Sequence, residues 1–373
     1  MQLHVGSRHL AADVAVALDA AGREHLVIVA KATWAIPDPG QRPRPLPPQP
    51  IVLADEYHGE PGASAMRYGA DMARFKPRCD VIFDACAHSP QGQPVNELQA
   101  GFELGGLRKM VRVLGPRRWR RQVGGWTLSA PEPFVKVPLT AAYALGGTHS
   151  CEQRGQQVVE AHLHNPSGRG WAGRQSLKQL DGQGAPQLEH PDHPVTRPDT
   201  PLPPCALSAV GRHWLPRRRH AGTHDDHWRR DVFPLPPADF DERFHQVAPE
   251  DQQMPYPVGG EKVHLVHLMP DRPALAFDLP RLDIQVRVLR ADYRQEAPIA
   301  VVDTVFFEPD QRRFSVVWRA SVRQQRSIQE FREVAVGSID PVWWRQRVAG
   351  GCAGCGDAPA VAGGAQAAGE AQA

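Results

Sequence analysis

No run of about 18 apolar residues occurs in the 373-residue chain, so no membrane-spanning helix is expected. The N-terminal stretch MQLHVGSRHLAADVAVALDAAG is broken by Asp13 and Asp19 and lacks the uninterrupted apolar core of a secretory signal. Excess charge of either sign is missing too. The 43 Lys and Arg against 41 Asp and Glu leave a net +2, too little to draw nucleic acid or an anionic membrane non-specifically. The cations are mostly arginine, which favours bidentate pairing with carboxylates over a diffuse positive field. Cysteine is scarce: Cys79, Cys86, Cys151, Cys205, Cys352 and Cys355 are scattered along the chain. They read as reduced thiols of a cytoplasmic protein, not as a disulfide framework. No Gly-x-Ser-x-Gly and no phosphate-loop ending occurs, and the serine of NPSGRG (165–170) lacks the nucleophile spacing.

Proline and glycine are plentiful, 37 and 33 residues. Proline removes a backbone donor and glycine weakens helices, so long helices should be few. The expected fold is mainly β with few short helices: a β-sandwich or barrel-like body carrying long ordered Pro/Gly-rich loops. Residues 26–36 (LVIVAKATWAI) read as a buried strand stopped by Pro37, and 79–88 (CDVIFDACAH) as a second. Residues 96–115 read as two strands joined at Gly105-Gly106, a hairpin signal. Residues 41–50 (QRPRPLPPQP) suggest a stiff connector. Strand patterns return at 261–269, 282–290, 299–310 and 312–321, the last two joined by the turn in FEPDQRRF. One domain is expected over residues 1–345, with a β section at 1–115, a loop-rich middle at 116–255 and a β section at 256–345. A short helix is expected near Phe240, Phe244 and Val247. The Gly/Ala-rich residues 346–373 are expected to be a disordered tail.

Four kinds of cluster invite a chemical reading. In AGTHDDHW (221–228), His224 and His227 flank Asp225 and Asp226. A metal site would need further ligands, for which His162 and His164 are the candidates, yet no spacing specifies their convergence. Short Thr and Asp side chains equally close turns by capping backbone donors. The Cys352–Cys355 pair lacks the second pair of a structural zinc site. Acidic pairs such as Asp55-Glu56 and Glu250-Asp251 read as solvated faces or caps. The basic aromatic segments GPRRWRRQ and WLPRRRHAG place Arg117, Arg118 and Trp119, then Trp214, Arg217 and Arg218, together. Arg and Trp give large directional contacts, so these six are assigned to a protein-binding surface.

An ordered series of motifs then carries a resemblance. VAKATW (29–34), LADEYHGEPGASAMRYGADMARFKPRCDV (53–81), VLGPRRW (113–119) and FVKVPLTAAYALGG (134–147) come first. NPSGRG, LEHP (188–191), AGTHDDHWRRDVFPLPPADFDERFHQVAPEDQ (221–252) and VGGEKVHLVHLMP (258–270) follow. From about residue 25 to 320 the chain resembles a bacterial family of unknown-function domains associated with type VI secretion. It departs from that family at Pro116, where the family usually has Asp, at Leu145, where it has Phe, and at Trp171, where another aromatic is usual. The resemblance implies an adaptor or chaperone, not an enzyme, with no cofactor and no metal. Its implied partners are a toxin effector and the spike or spike-tip protein. It also implies structural roles for Asp55, Tyr57, Gly146, Gly147, Asn165, Pro166, Gly168 and Gly170. The same holds for Gly222, Thr223, Trp228, Asp239, Phe240, Asp251 and Gln252, with Trp228 expected to anchor its loop in the core. The alternative is a metal-dependent hydrolase using His162, His164, His224 and His227.

Overall fold

The central strands are largely apolar in sequence because both faces of their sheet are covered. The computed structural model describes residues 1–174 and 176–350. The principal strands are β1 (Gln2–Val5), β2 (Leu10–Leu18), β3 (Glu24–Ala35), β4 (Cys79–Phe83), β5 (Glu97–Leu104) and β6 (Leu107–Leu114). They continue with β7 (Lys262–Met269), β8 (Arg272–Asp278), β9 (Val286–Arg290), β10 (Val301–Glu308), β11 (Arg313–Arg323) and β12 (Phe331–Val336). One helix of two turns, α1 (Pro341–Val348), closes the described chain, its first turn capped by Asp340.

Three sheets of four or more strands share one core. The seven-stranded sheet runs Gln253–Met254, β4, β10, β11, β3, β2, with Pro45–Leu46 also pairing β3. The five-stranded sheet runs Leu188–Glu189, β6, β5, β7, β8, and the four-stranded sheet β1, β12, β9, Gln295–Glu296. Among the described residues no sheet closes on itself, so the body is β-rich and layered, not a barrel. Alternate residues of β3 and β11, such as Ile28, Ala30, Val316 and Trp318, join Phe102, Val111, Leu265 and Val288 in that core. Burial of this apolar surface is the main driving force of the fold.

The opposite face of the seven-stranded sheet is mixed in character. Val27, Val29 and Val317 form a small apolar cluster there, beside the ion pairs Lys31–Asp71 (2.9 Å), Lys76–Asp80 (2.9 Å) and Arg319–Asp303. Asp80 also accepts from Gln246 Nε2 at 2.6 Å and from the backbone N–H groups of Val247 and Ala248. A buried carboxylate so fully bonded tolerates its low-dielectric site. It pins residues 246–248 of the loop-rich middle to the sheet.

The structure departs from the sequence expectation in several places. The stretch 79–88 is two strands, Cys79–Phe83 in the seven-stranded sheet and Cys86–His88 paired with Lys136–Pro138, because the chain passes from one sheet to another between them. The middle contains short two-stranded ribbons, Trp119–Gln122 with Gly125–Leu128 and Thr148–Gln153 with Gln156–Ala161. The helix near Phe240 shrinks to one 3-10 turn, Glu242–His245. The hairpin at Gly105-Gly106 joins β5 to β6, and the hairpin at 309–311 joins β10 to β11, as read. Helix α1 carries regular structure through residues 346–348. The remainder of the tail beyond residue 350, with Cys352 and Cys355, lies outside the described residues.

Candidate functional site

The loop-rich middle encloses a groove of about 490 Å³. Its floor begins with residues 205–210 (CALSAV), every one of them buried. That segment holds position through backbone bonds, Phe83 N–H to Leu207 O and Val210 N–H to Val247 O, while Leu207 N–H reaches Leu139 O. A buried loop must pair its polar backbone in this way. Leu145, Leu188, Val195 and Leu202 form one wall and Trp214 another. His164, His190, His193, Arg219, Glu250 and Asp251 stand on the rim, with Arg219 bonded to Glu250 at 3.1 Å and Lys109 to Asp251 at 2.8 Å. Burial pushes the Cys205 thiol in the floor above its usual range. A mostly apolar hollow of this size with polar groups at its edge suits a bound ligand or peptide segment. A second hollow of about 780 Å³, beside Arg42, Lys262 and Arg281, is more polar and lies along β8.

The six residues assigned to a binding surface divide sharply. Only Arg118 and Arg218 are exposed. Arg117 is buried against Glu189 and donates to Pro186 O at 2.7 Å. Trp119 is fully buried in the cluster behind the groove wall, its Nε1 donating to Gly170 O at 2.8 Å. Trp214 is buried yet lines the groove itself. Arg217 is buried too, bonded to Val210 O and Phe244 O, and desolvation pulls its pKa down to about 10. Directional donors that can reach backbone carbonyls draw these side chains inward. The two basic aromatic segments thus build the groove more than they decorate a surface.

The motif residues hold loops. Asp55 accepts from Ala70 N–H and from Arg212, and these bonds outweigh burial to lower its pKa. Tyr57 packs on the small core of Met66, Ile82 and Phe306. Asn165, wholly buried, donates to the carbonyls of Ala141 and Leu145. Gly146 and Gly168 give it room: a Cβ on Gly146 would lie 2.2 Å from Asn165 O, and one on Gly168 2.4 Å from Asn165 Nδ2. The Pro166 carbonyl accepts from Thr148 Oγ1. Gly147 and Gly170 both hold positive φ. Gln252, fully buried, donates to Val81 O and Leu207 O and accepts from Lys109.

The AGTHDDHW loop is fixed from outside itself. Gly222 has φ +81°, and Thr223 donates through N–H and Oγ1 to Asp239 at 2.9 and 2.7 Å. Asp225 accepts from Trp228 N–H at 2.8 Å. Phe240 packs edge-on to Phe244. Trp228 is a correction: it does not reach the core. Its ring is half-buried between His224 and the exposed Phe233, with Nε1 donating to Leu235 O. The backbone carbonyl of Leu235 and the neighbouring rings offer it a partner at the surface.

The four histidines of the hydrolase alternative are spread apart in environment. His224 and His227 are exposed, near Gly222 O and Asp231 respectively. His162 is buried against Trp171 and His164, beyond the end of its strand, and burial lowers its pKa to about 4. Among the described residues no three His, Cys, Asp or Glu side chains group as metal ligands.

Sequence reasoning passed over Lys76, Asp80 and Gln246, although Lys76 and Asp80 stand four apart beside a strand. It also passed over Val195, Leu202 and Val210, whose apolar character is not periodic. A family model described as an uncharacterized protein conserved in bacteria, DUF2169, matches residues 21–319. No curated protein and no solved structure matches the chain. The matched region spans β3 to β10 and most of β11, the groove and every motif residue named above, and the chain belongs to this bacterial family.

Proposed function

We propose that the protein is an adaptor that holds a toxin effector and assists its loading on a type VI secretion spike. The observation that supports this reading is the groove. An apolar hollow of about 490 Å³ is lined by the motif residues Ala141, Leu145, Leu188 and Asp251 together with Leu202, Val210 and Trp214 from outside the motifs, and polar side chains rim it, as a site for a segment of another chain would be. The resemblance of those motifs to a secretion-associated family points to a toxin effector as the class of client. An exposed segment of the effector would place apolar side chains against Leu202, Val210 and Trp214. The rim pair Arg219–Glu250 would bond its polar groups.

Co-expression with the product of the neighbouring toxin gene, followed by size-exclusion chromatography in moderate salt, tests the reading. A stoichiometric co-eluting complex, with the toxin insoluble alone, is expected. A toxin that is stable alone and shares no peak would remove this client.

A further inference from the structure

Strand β2 ends the seven-stranded sheet, pairing on one side with β3 only. The bond from Asp19 N–H to Arg23 O fixes the phase of that ladder: odd-numbered residues of β2 direct their backbone groups to β3, and even-numbered ones direct theirs outward. Leu10 N–H is satisfied by Ser7 O, and Val14 N–H by the Asp13 carboxylate at 2.7 Å. Among the described residues no hydrogen bond reaches the outward N–H and C=O groups of Ala12 and Val16. Val16 is 44% exposed. The strand LAADVAVAL holds one charge, no Lys and no Pro, so it lacks most of the devices that blunt an edge.

We propose that β2 is a strand-addition site for an extended segment of a partner protein, one with alternating apolar residues and a Lys or Arg where it passes Asp13. The carboxylate selects the occupant. An incoming strand takes Val14 N–H, which frees Asp13 to pair with a cation across the ladder. A second copy of this chain would instead set two Asp13 carboxylates about 5 to 8 Å apart in registers centred on the strand, which is unfavourable. The edge also runs toward an apolar patch: Leu235 lies against Gly22 in the β2–β3 turn, and Phe233 beside it is 65% exposed. This inference goes beyond the adaptor reading, since the edge accepts such a strand whether or not its owner is a toxin.

The test is amide hydrogen exchange on the full chain with two seven-residue peptides, one alternating valine with threonine and lysine, the other carrying glutamate for lysine. With the lysine peptide at ten times its Kd, exchange at Ala12 and Val16 should slow about tenfold. The glutamate peptide should bind about twofold to fivefold more weakly. Val16→Pro removes an outward N–H and leaves the β3 ladder intact, so it should abolish protection at Ala12. Asp13→Lys, which needs no change in the strand's backbone, should reverse the preference between peptides. Absence of protection with both peptides overturns the proposal. So does protection of Ala12 that grows with protein concentration without peptide, because it assigns the edge to a second copy.

Discussion

Lys76 donates to Asp80 at 2.9 Å on the covered face of the central sheet, and neither side chain is more than 3% exposed. Removing one partner leaves an uncompensated buried charge. Asp80→Ala should therefore destabilise the protein by about 3–5 kcal/mol, partly because it also frees Gln246, Val247 and Ala248. Urea unfolding reads this directly. Adding Lys76→Met should restore part of the loss, and a change below about 1 kcal/mol in the single variant would contradict the clamp.

Two glycines should differ sharply in their tolerance of a methyl group. A Cβ at Gly146 meets Asn165 O at 2.2 Å, whereas one at Gly106 meets nothing within 4 Å. Gly146→Ala should cost about 2 kcal/mol or more through overpacking. Gly106→Ala should stay within about 0.5 kcal/mol. Thermal melts of the two variants side by side check the contrast.

His162 should make stability fall on mild acidification. Its folded pKa is lowered by burial, then by His164, from 6.5 to about 4. Between those values the unfolded state takes up a proton that the folded state refuses, so stability declines as pH drops from 6.5 to about 4. Above 6.5 this residue contributes no pH dependence. The urea midpoint of wild type, compared with His162→Gln at pH 7 and pH 4.5, should show the smaller fall in the variant. Equal falls would contradict the assignment.

Neighbouring arginines should differ as their burial does. Arg117→Ala leaves the buried Glu189 carboxylate with only the longer contact to Arg112 at 3.5 Å and should cost about 3 kcal/mol. Arg118 is exposed and donates to Gly182 O, and Arg118→Ala should stay within about 0.5 kcal/mol. Denaturant midpoints of the two variants decide it.

The strands buried on both faces were the most legible. In β3, β10 and β11 each side of the sheet is covered, so largely apolar stretches such as LVIVA and VVDTVFF, the latter broken only by Asp303 and Thr304, mark them without alternation. Gly105-Gly106 likewise announced its hairpin. Strand β2 was missed because alanine, small and indifferent, fills four of its nine positions. Strand β8 was missed because it opens on Arg-Pro at a sheet edge. Apart from Trp214, the groove was not legible in sequence, because its wall is assembled from single residues such as Leu145, Leu188 and Leu202 brought together by the chain's path. Composition did suggest that Arg and Trp matter in the middle segment. It did not say that backbone carbonyls at Pro186, Gly170, Val210 and Phe244 would take their donors inside.

The adaptor account rests on the groove, and Leu202 is its most useful probe, being half-buried on the groove wall. The decisive measurement is the mass, by light scattering on a sizing column, of any complex formed when the proposed toxin client is co-expressed with wild type or with Leu202→Glu. The account predicts a stoichiometric complex for wild type, and a folded but client-free Leu202→Glu protein with an unchanged melting profile. A Leu202→Glu variant that still carries its toxin at full stoichiometry would contradict it.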